Sequence, residues 1–143
     1  MQNNSIVKKE KFVIFLHSGT YDRLYQAVTF AQAAVVMGKE VYIFLLFWGL
    51  KKFIENPDEV NFSPAYGTVG DAVRETIHTL NIPSVRETLD ETKRLGTIKV
   101  YACSAAIDIM GMKRDEVEGL VDGIMGLPTI IKVIEDAQTT LFI

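Results

Sequence analysis

Apolar residues follow two rhythms along this chain. Phe12–Leu16 (FVIFL) and Val41–Leu46 (VYIFLL) are nearly unbroken apolar runs of strand length, the pattern of strands buried inside a sheet. Between them Leu24, Ala27, Val28, Ala31, Ala34 and Val35 recur at helical spacing, predicting a helix over Tyr21–Met37 that Gly38 closes. His17-Ser18-Gly19-Thr20 forms the polar turn into that helix, and Phe47-Trp48-Gly49 reads as an aromatic turn leaving the second strand. The opening is therefore β-turn-α-β, after a loose lead-in over Met1–Lys9.

Lys51–Leu80 is broken by Asn56-Pro57-Asp58 and Ser63-Pro64, and Tyr66-Gly67 and Gly70 loosen it further. Val73, Ile77 and Leu80 predict a helix over Asp71–Leu80. Ser84 and Glu87 form a capping box for the next helix, whose inward stripe is Val85, Leu89, Thr92 and Leu95 and which Gly96 ends. Ile98, Val100 and Ala102 predict a strand buried on both faces, and Ser104–Asp108 opens a helix reaching about Met110. Lys113–Glu118 is a charged turn, Leu120–Met125 a fourth strand, and Gly126-Leu127-Pro128 the turn out of it. A helix over Pro128–Asp136, with proline in its first turn, and a last strand over Thr139–Ile143 complete the chain.

Strands alternating with helices predict an α/β fold: a single-domain three-layer sandwich over residues 1–143, around a mostly parallel five-stranded sheet. In such sheets the carboxyl ends of the strands share one edge, and ligands bind there. That edge gathers Ser18-Gly19-Thr20, Phe47-Trp48-Gly49, Cys103-Ser104 and Gly126-Leu127 from distant parts of the chain.

Composition narrows the functions open to such a fold. The chain has 143 residues, 48% hydrophobic and 23% charged, enough for one domain with a real core. A net charge of −3 and scattered lysines and arginines argue against nucleic acid as a partner. The longest apolar run, Val41–Leu50, has ten residues where a membrane span needs about 20. Met1–Lys11 shows no apolar signal segment. One cysteine excludes a disulfide framework and any CxxC metal or redox motif, and it fits a reducing compartment, so the expected location is cytoplasmic. No GxGxxG, Walker A, HExxH or GxSxG pattern occurs, so no nucleotide, metal or other cofactor is expected.

The single thiol is the main chemical candidate. Cys103 falls where a strand meets a helix, among unpaired N–H groups at the positive end of a helix dipole, which favours the thiolate. A lone cysteine is as readily a small buried hydrophobe, and both readings stand. Ser104, with the amides behind it, and Ser18, Gly19 and Thr20 offer donors for an anionic group, against ordinary turn and cap roles. Gly126 and Trp48 complete the ligand-binding candidates, with Phe47 and Trp48 either roofing the site or packing between subunits. His17, at the end of the first strand, is either a base for the thiol or a structural histidine. His78 is expected on the surface, and Asp108 in a structural or partner-facing role.

Val100-Tyr101-Ala102-Cys103-Ser104-Ala105-Ala106-Ile107-Asp108-Ile109-Met110-Gly111 resembles the cysteine motif of the DsrE/DsrF-like family of sulfur-relay proteins. Ser18-Gly19-Thr20-Tyr21-Asp22, Met37-Gly38-Lys39-Glu40-Val41 and Ile43-Phe44 with Phe47-Trp48-Gly49-Leu50 resemble that family's first βαβ unit. Val121-Asp122-Gly123 and Thr140-Leu141-Phe142-Ile143 extend the likeness, which is weakest across Lys51–Thr79. The resemblance implies a flavodoxin-like sandwich, a homo-oligomer, and a cysteine that receives and passes sulfur. It further implies exchange of persulfide or thiosulfate sulfur with rhodanese-type or TusA-like carriers, a role that falls here on Cys103. Some relatives have a second cysteine shortly upstream, and Lys93–Gly96 holds none.

Three functions follow. The leading one is a sulfur carrier or sulfurtransferase using Cys103. The alternative is a non-catalytic oligomeric module that binds a small ligand or partner, its cysteine inert and its Val41–Trp48 run and last strand making subunit contacts. A thiol peroxidase is a third, weakened by the lack of a resolving cysteine.

Overall fold

In the computed structural model, which describes residues 7–143, the two apolar runs become strands hydrogen-bonded on both sides. The elements are β1 (Lys11–Leu16), α1 (Tyr21–Val36), β2 (Glu40–Leu45), α2 (Phe47–Glu55), α3 (Gly67–Thr79) and α4 (Val85–Leu95). They continue with β3 (Ile98–Cys103), α5 (Ser104–Ile109), α6 (Arg114–Glu118), β4 (Gly123–Met125), α7 (Leu127–Ile134) and β5 (Thr139–Phe142). All strand pairs are parallel, in the order β4-β3-β2-β1-β5. The lead-in expected over Met1–Lys9 lies largely outside the described residues.

This order decides which helices lie where. Three successive crossovers move the chain from β1 to β4 in one direction, and right-handed crossovers then keep their helices on one face. The last crossover returns past β1 to β5, which puts α7 on the opposite face. Strand alternation agrees. Phe142, Phe15, Phe44 and Tyr101 stack in a row across the α7 face, with ring centroids 4.8, 5.4 and 5.8 Å apart. On that same face Lys11 Nζ donates to the Val133 carbonyl at the end of α7 and pairs with Asp136 at 2.6 Å. The sandwich has three layers, but one of them is a single eight-residue helix.

Several expectations need correction. Phe47-Trp48-Gly49 is not a free turn but the first turn of α2, which buries Leu50, Phe53 and Ile54. The helix has no side-chain cap and opens on Phe47 at a φ of 42°, a conformation that sequence pattern does not announce. The strand read as buried on both faces is fully buried on one, through Ile98, Val100 and Ala102; on the other Lys99 is exposed, Tyr101 half-buried and Cys103 buried. Leu95 is 54% exposed, because α4 buries Val85, Thr88, Leu89 and Thr92 and its last turn runs past the core. The fourth strand starts only at Gly123, since the Asp122 carboxylate occupies the ladder position by accepting the Val100 N–H at 2.7 Å. Lys113–Glu118 coils into α6 around the buried Val117. The capping box stands as read, with Ser84 Oγ accepting the Glu87 N–H and the Glu87 carboxylate accepting the Ser84 N–H.

Candidate functional site

Cys103 is both the last residue of β3 and the N-cap residue of α5, with extended backbone. Its pleat position, two residues after Tyr101, places it on the face that carries the aromatic row and α7. Met125 of β4 is its partner on one side, and on the other the β2–β3 register ends one residue earlier, at Leu45 and Ala102. The residue is 2% exposed, and no hydrogen bond joins its thiol to another side chain among the described residues. α5 has six residues, so the dipole behind Cys103 is short.

The predicted site residues fall into two groups along the carboxyl edge. In the first, Ser104 lies beside Gly126: a Cβ added to Gly126 would meet Ser104 Oγ at 3.7 Å. This group adjoins the thiol. The second forms at the ends of β1 and β2, where Gly19 packs so tightly on Trp48 that an added Cβ would sit 2.8 Å from Trp48 Cβ. The Gly49 N–H donates to the His17 carbonyl at 3.1 Å, and the His17 N–H donates to Ile143 at 2.9 Å. Ser18, Gly19, Thr20, Trp48 and His17 therefore belong to one cluster, set apart from Cys103 by β2.

His17 and the thiol stand on different strands. The histidine ends β1, two strands from β3, a separation of about 10 Å between strand axes. Its exposed side chain instead lines a concavity of 440 Å³ with Phe15, Leu46, Phe47, Trp48 and Phe142. Leu46, one residue after the Leu45 that pairs with Ala102, also lines this concavity. Sequence reading had not singled out Leu46 or Phe142, because their importance comes from strand order. Trp48 is 62% exposed at the rim, and Phe142 is 71% exposed on the edge strand.

Thr20 is the N-cap residue of α1, yet its side chain makes no cap bond; the Tyr21 N–H donates to the Asn61 carbonyl at 2.9 Å instead. The side-chain oxygen of Asn61 is buried without a partner. Burial pushes the Tyr21 and Tyr101 hydroxyls above the ordinary tyrosine range. His78 and Asp108 are exposed, Asp108 lying 3.7 Å from Arg114. Among the described residues no three acidic, histidine or cysteine side chains are placed to hold a metal ion. No helix there is long and apolar enough to cross a membrane.

The profile of the DsrE/DsrF-like family matches residues 9–142, nearly the whole chain. The chain belongs to the DsrE/DsrF-like family. That membership covers the strand–helix junction at Cys103 as well as the βαβ opening, and it associates the chain with sulfur relay. Two solved structures share the fold of this DsrE/DsrF-like chain. One is a conserved protein of unknown function, BT1422, from Bacteroides thetaiotaomicron, with a TM-score of 0.59 and 13% identity over 94% of this chain and 95% of that one. The other is the ychN protein from E. coli, with a TM-score of 0.54 and 12% identity over 93% of this chain and 99% of that one. No curated protein matches significantly.

Proposed function

We propose that this DsrE/DsrF-like protein is a sulfur carrier or sulfurtransferase that loads a sulfane sulfur or thiosulfonate group on Cys103 and passes it to a partner carrier. One observation supports this reading above the others: the chain's single thiol caps a helix at the carboxyl edge of a parallel sheet, beside Ser104 and Gly126.

Loading from thiosulfate needs no redox partner. The Cys103 thiolate attacks the outer sulfur, a new S–S bond forms, and sulfite leaves with the electron pair of the bond that breaks. A thiolate of the acceptor then attacks the outer sulfur of the persulfide, and Cys103 leaves as thiolate. The family resemblance points to rhodanese-type or TusA-like proteins as partners in this exchange. No second thiol is present to compete by forming an intramolecular disulfide, so the carried sulfur goes to another protein.

The 2% exposure of Cys103 favours a second reading, an oligomeric ligand- or partner-binding module with an inert cysteine. Intact mass separates the two. After incubation with thiosulfate, polysulfide or tetrathionate, wild type should gain a reductant-reversible sulfur adduct and Cys103→Ser none. Equal uptake by both, or a thiol that reacts only in denaturant, would remove the carrier reading.

A further inference from the structure

Of the 13 residues of α3, only Gly70 is buried. The helix is nevertheless amphipathic, with Val69, Val73, Ile77 and the C-cap residue Leu80 spaced as one apolar stripe. Such a stripe is normally packed against the protein, yet Val73 is 44% and Leu80 65% exposed. Val73, Ile77 and Leu80 line a groove of 800 Å³ whose α1 wall carries Tyr21, Tyr25 and Thr29. That volume suits a small molecule.

Tyr21 is the polar feature of the α1 wall. It is 4% exposed, stacked on Tyr25 with ring centroids 5.5 Å apart and met edge-on by Phe62 at 6.2 Å. Its hydroxyl has no hydrogen-bond partner among the described residues, and burial raises its pKa, so it stays a donor. A donor held in so buried a side chain is costly to leave unpaired, and the groove that Tyr21 lines gives a partner oxygen its way in. Asp22 and Arg23 also line the groove, and neither is in an ion pair among the described residues. Their charges cancel, so the groove offers no net charge to an anion or a cation.

We propose that the groove between α1 and α3 binds a neutral, largely apolar small molecule whose acceptor oxygen takes the Tyr21 hydroxyl hydrogen bond. Two independent observations meet at this place. One is an apolar helix stripe that the chain leaves uncovered, and the other is a buried hydroxyl without a partner. The ligand answers both: its body removes Val73, Ile77 and Leu80 from water, and its oxygen pairs the hydroxyl. The groove shares no residue with the 440 Å³ concavity at the carboxyl edge, and Cys103 does not line it. The site therefore goes beyond the sulfur-carrier reading and stands or falls without it.

Nile red, a neutral aromatic dye with one carbonyl group and an emission that reports polarity, is the probe. Titrated with the full chain, its fluorescence should rise and saturate. Tyr21→Phe should weaken binding roughly three- to tenfold and shift the emission of bound dye to the blue, because the carbonyl loses its donor. The same variant should keep the wild-type midpoint in urea, since the hydroxyl has no partner within the chain to lose. Val73→Gln, on the exposed helix, should weaken binding roughly tenfold. Leu95→Gln, at an exposed apolar position on α4 outside the groove, should stay within about twofold of wild type. The proposal falls if wild type shows no saturable binding, if Tyr21→Phe binds and emits as wild type does, or if Leu95→Gln weakens binding as much as Val73→Gln. It also falls if wild type sediments as an oligomer that Val73→Gln dissociates, because a second copy of the chain would then fill the groove. Should Val73→Gln fail to fold, Val73→Ala takes its place, with a weakening of roughly threefold expected.

Discussion

Gly49 is pressed against the backbone of Leu16. A Cβ on Gly49 would lie 2.4 Å from the Leu16 carbonyl oxygen and 2.8 Å from its carbonyl carbon. The contact locks the first turn of α2 onto the end of β1, and it sets Trp48 over Gly19 at the rim of the concavity. Backbone has no rotamer with which to yield. Gly49→Ala should therefore cost about 2–3 kcal/mol, read as a lower midpoint in urea unfolding with an unchanged slope. A loss under about 0.5 kcal/mol would show that the two turns are not in contact.

His17 stands two strands from Cys103, with its side chain in the concavity and its backbone bonded to Ile143 and Gly49. His17→Ala keeps those backbone bonds. Alkylation of Cys103 should proceed at the wild-type rate within about twofold, whereas a base acting on the thiol is worth about 100-fold or more. A slowing of that size would mean that the histidine swings across Leu46 to the thiol.

Lys11 and Lys8 hold the Asp136 carboxyl well below the usual carboxylate range, chiefly through the hydrogen bonds they donate to its charged form. A carboxyl whose acidity rises on folding stabilises the fold at every pH above its unfolded value of about 3.9, and that contribution is lost as pH falls towards the folded value. Wild type should therefore exceed Asp136→Asn in unfolding midpoint by a constant margin between about pH 7 and pH 5. The margin should shrink below about pH 4 and also in high salt, since the pair is solvent-exposed. A margin independent of both would assign the effect of the substitution to something other than this tie.

Most of the fold was legible because its signals are local. Leu24, Ala27, Val28 and Ala31 declare α1 by spacing alone, and Ser84 with Glu87 marks the start of α4 by side chains that bond their own helix. α2 was missed for a matching reason. Its start depends on an uncapped Leu46, a left-handed Phe47 and a glycine pressed on another strand, and none of these has a local signature. Leu95 and Lys99 were misplaced because helical and strand periods predict which residues share a face, not whether anything covers that face.

The sequence alone determined the parallel α/β class, the single thiol and its place at a strand-to-helix junction, since each follows from residue order and short-range spacing. It also carried the family, whose motifs run nearly the length of the chain. Only the tertiary structure decided that β2 stands between His17 and Cys103, that Leu46 shares a concavity with His17 and Phe142, and that a single short helix lies on the cysteine face of the sheet. These depend on strand order and on the direction of the last crossover. Both are set by contacts between residues far apart along the chain, which no local pattern encodes.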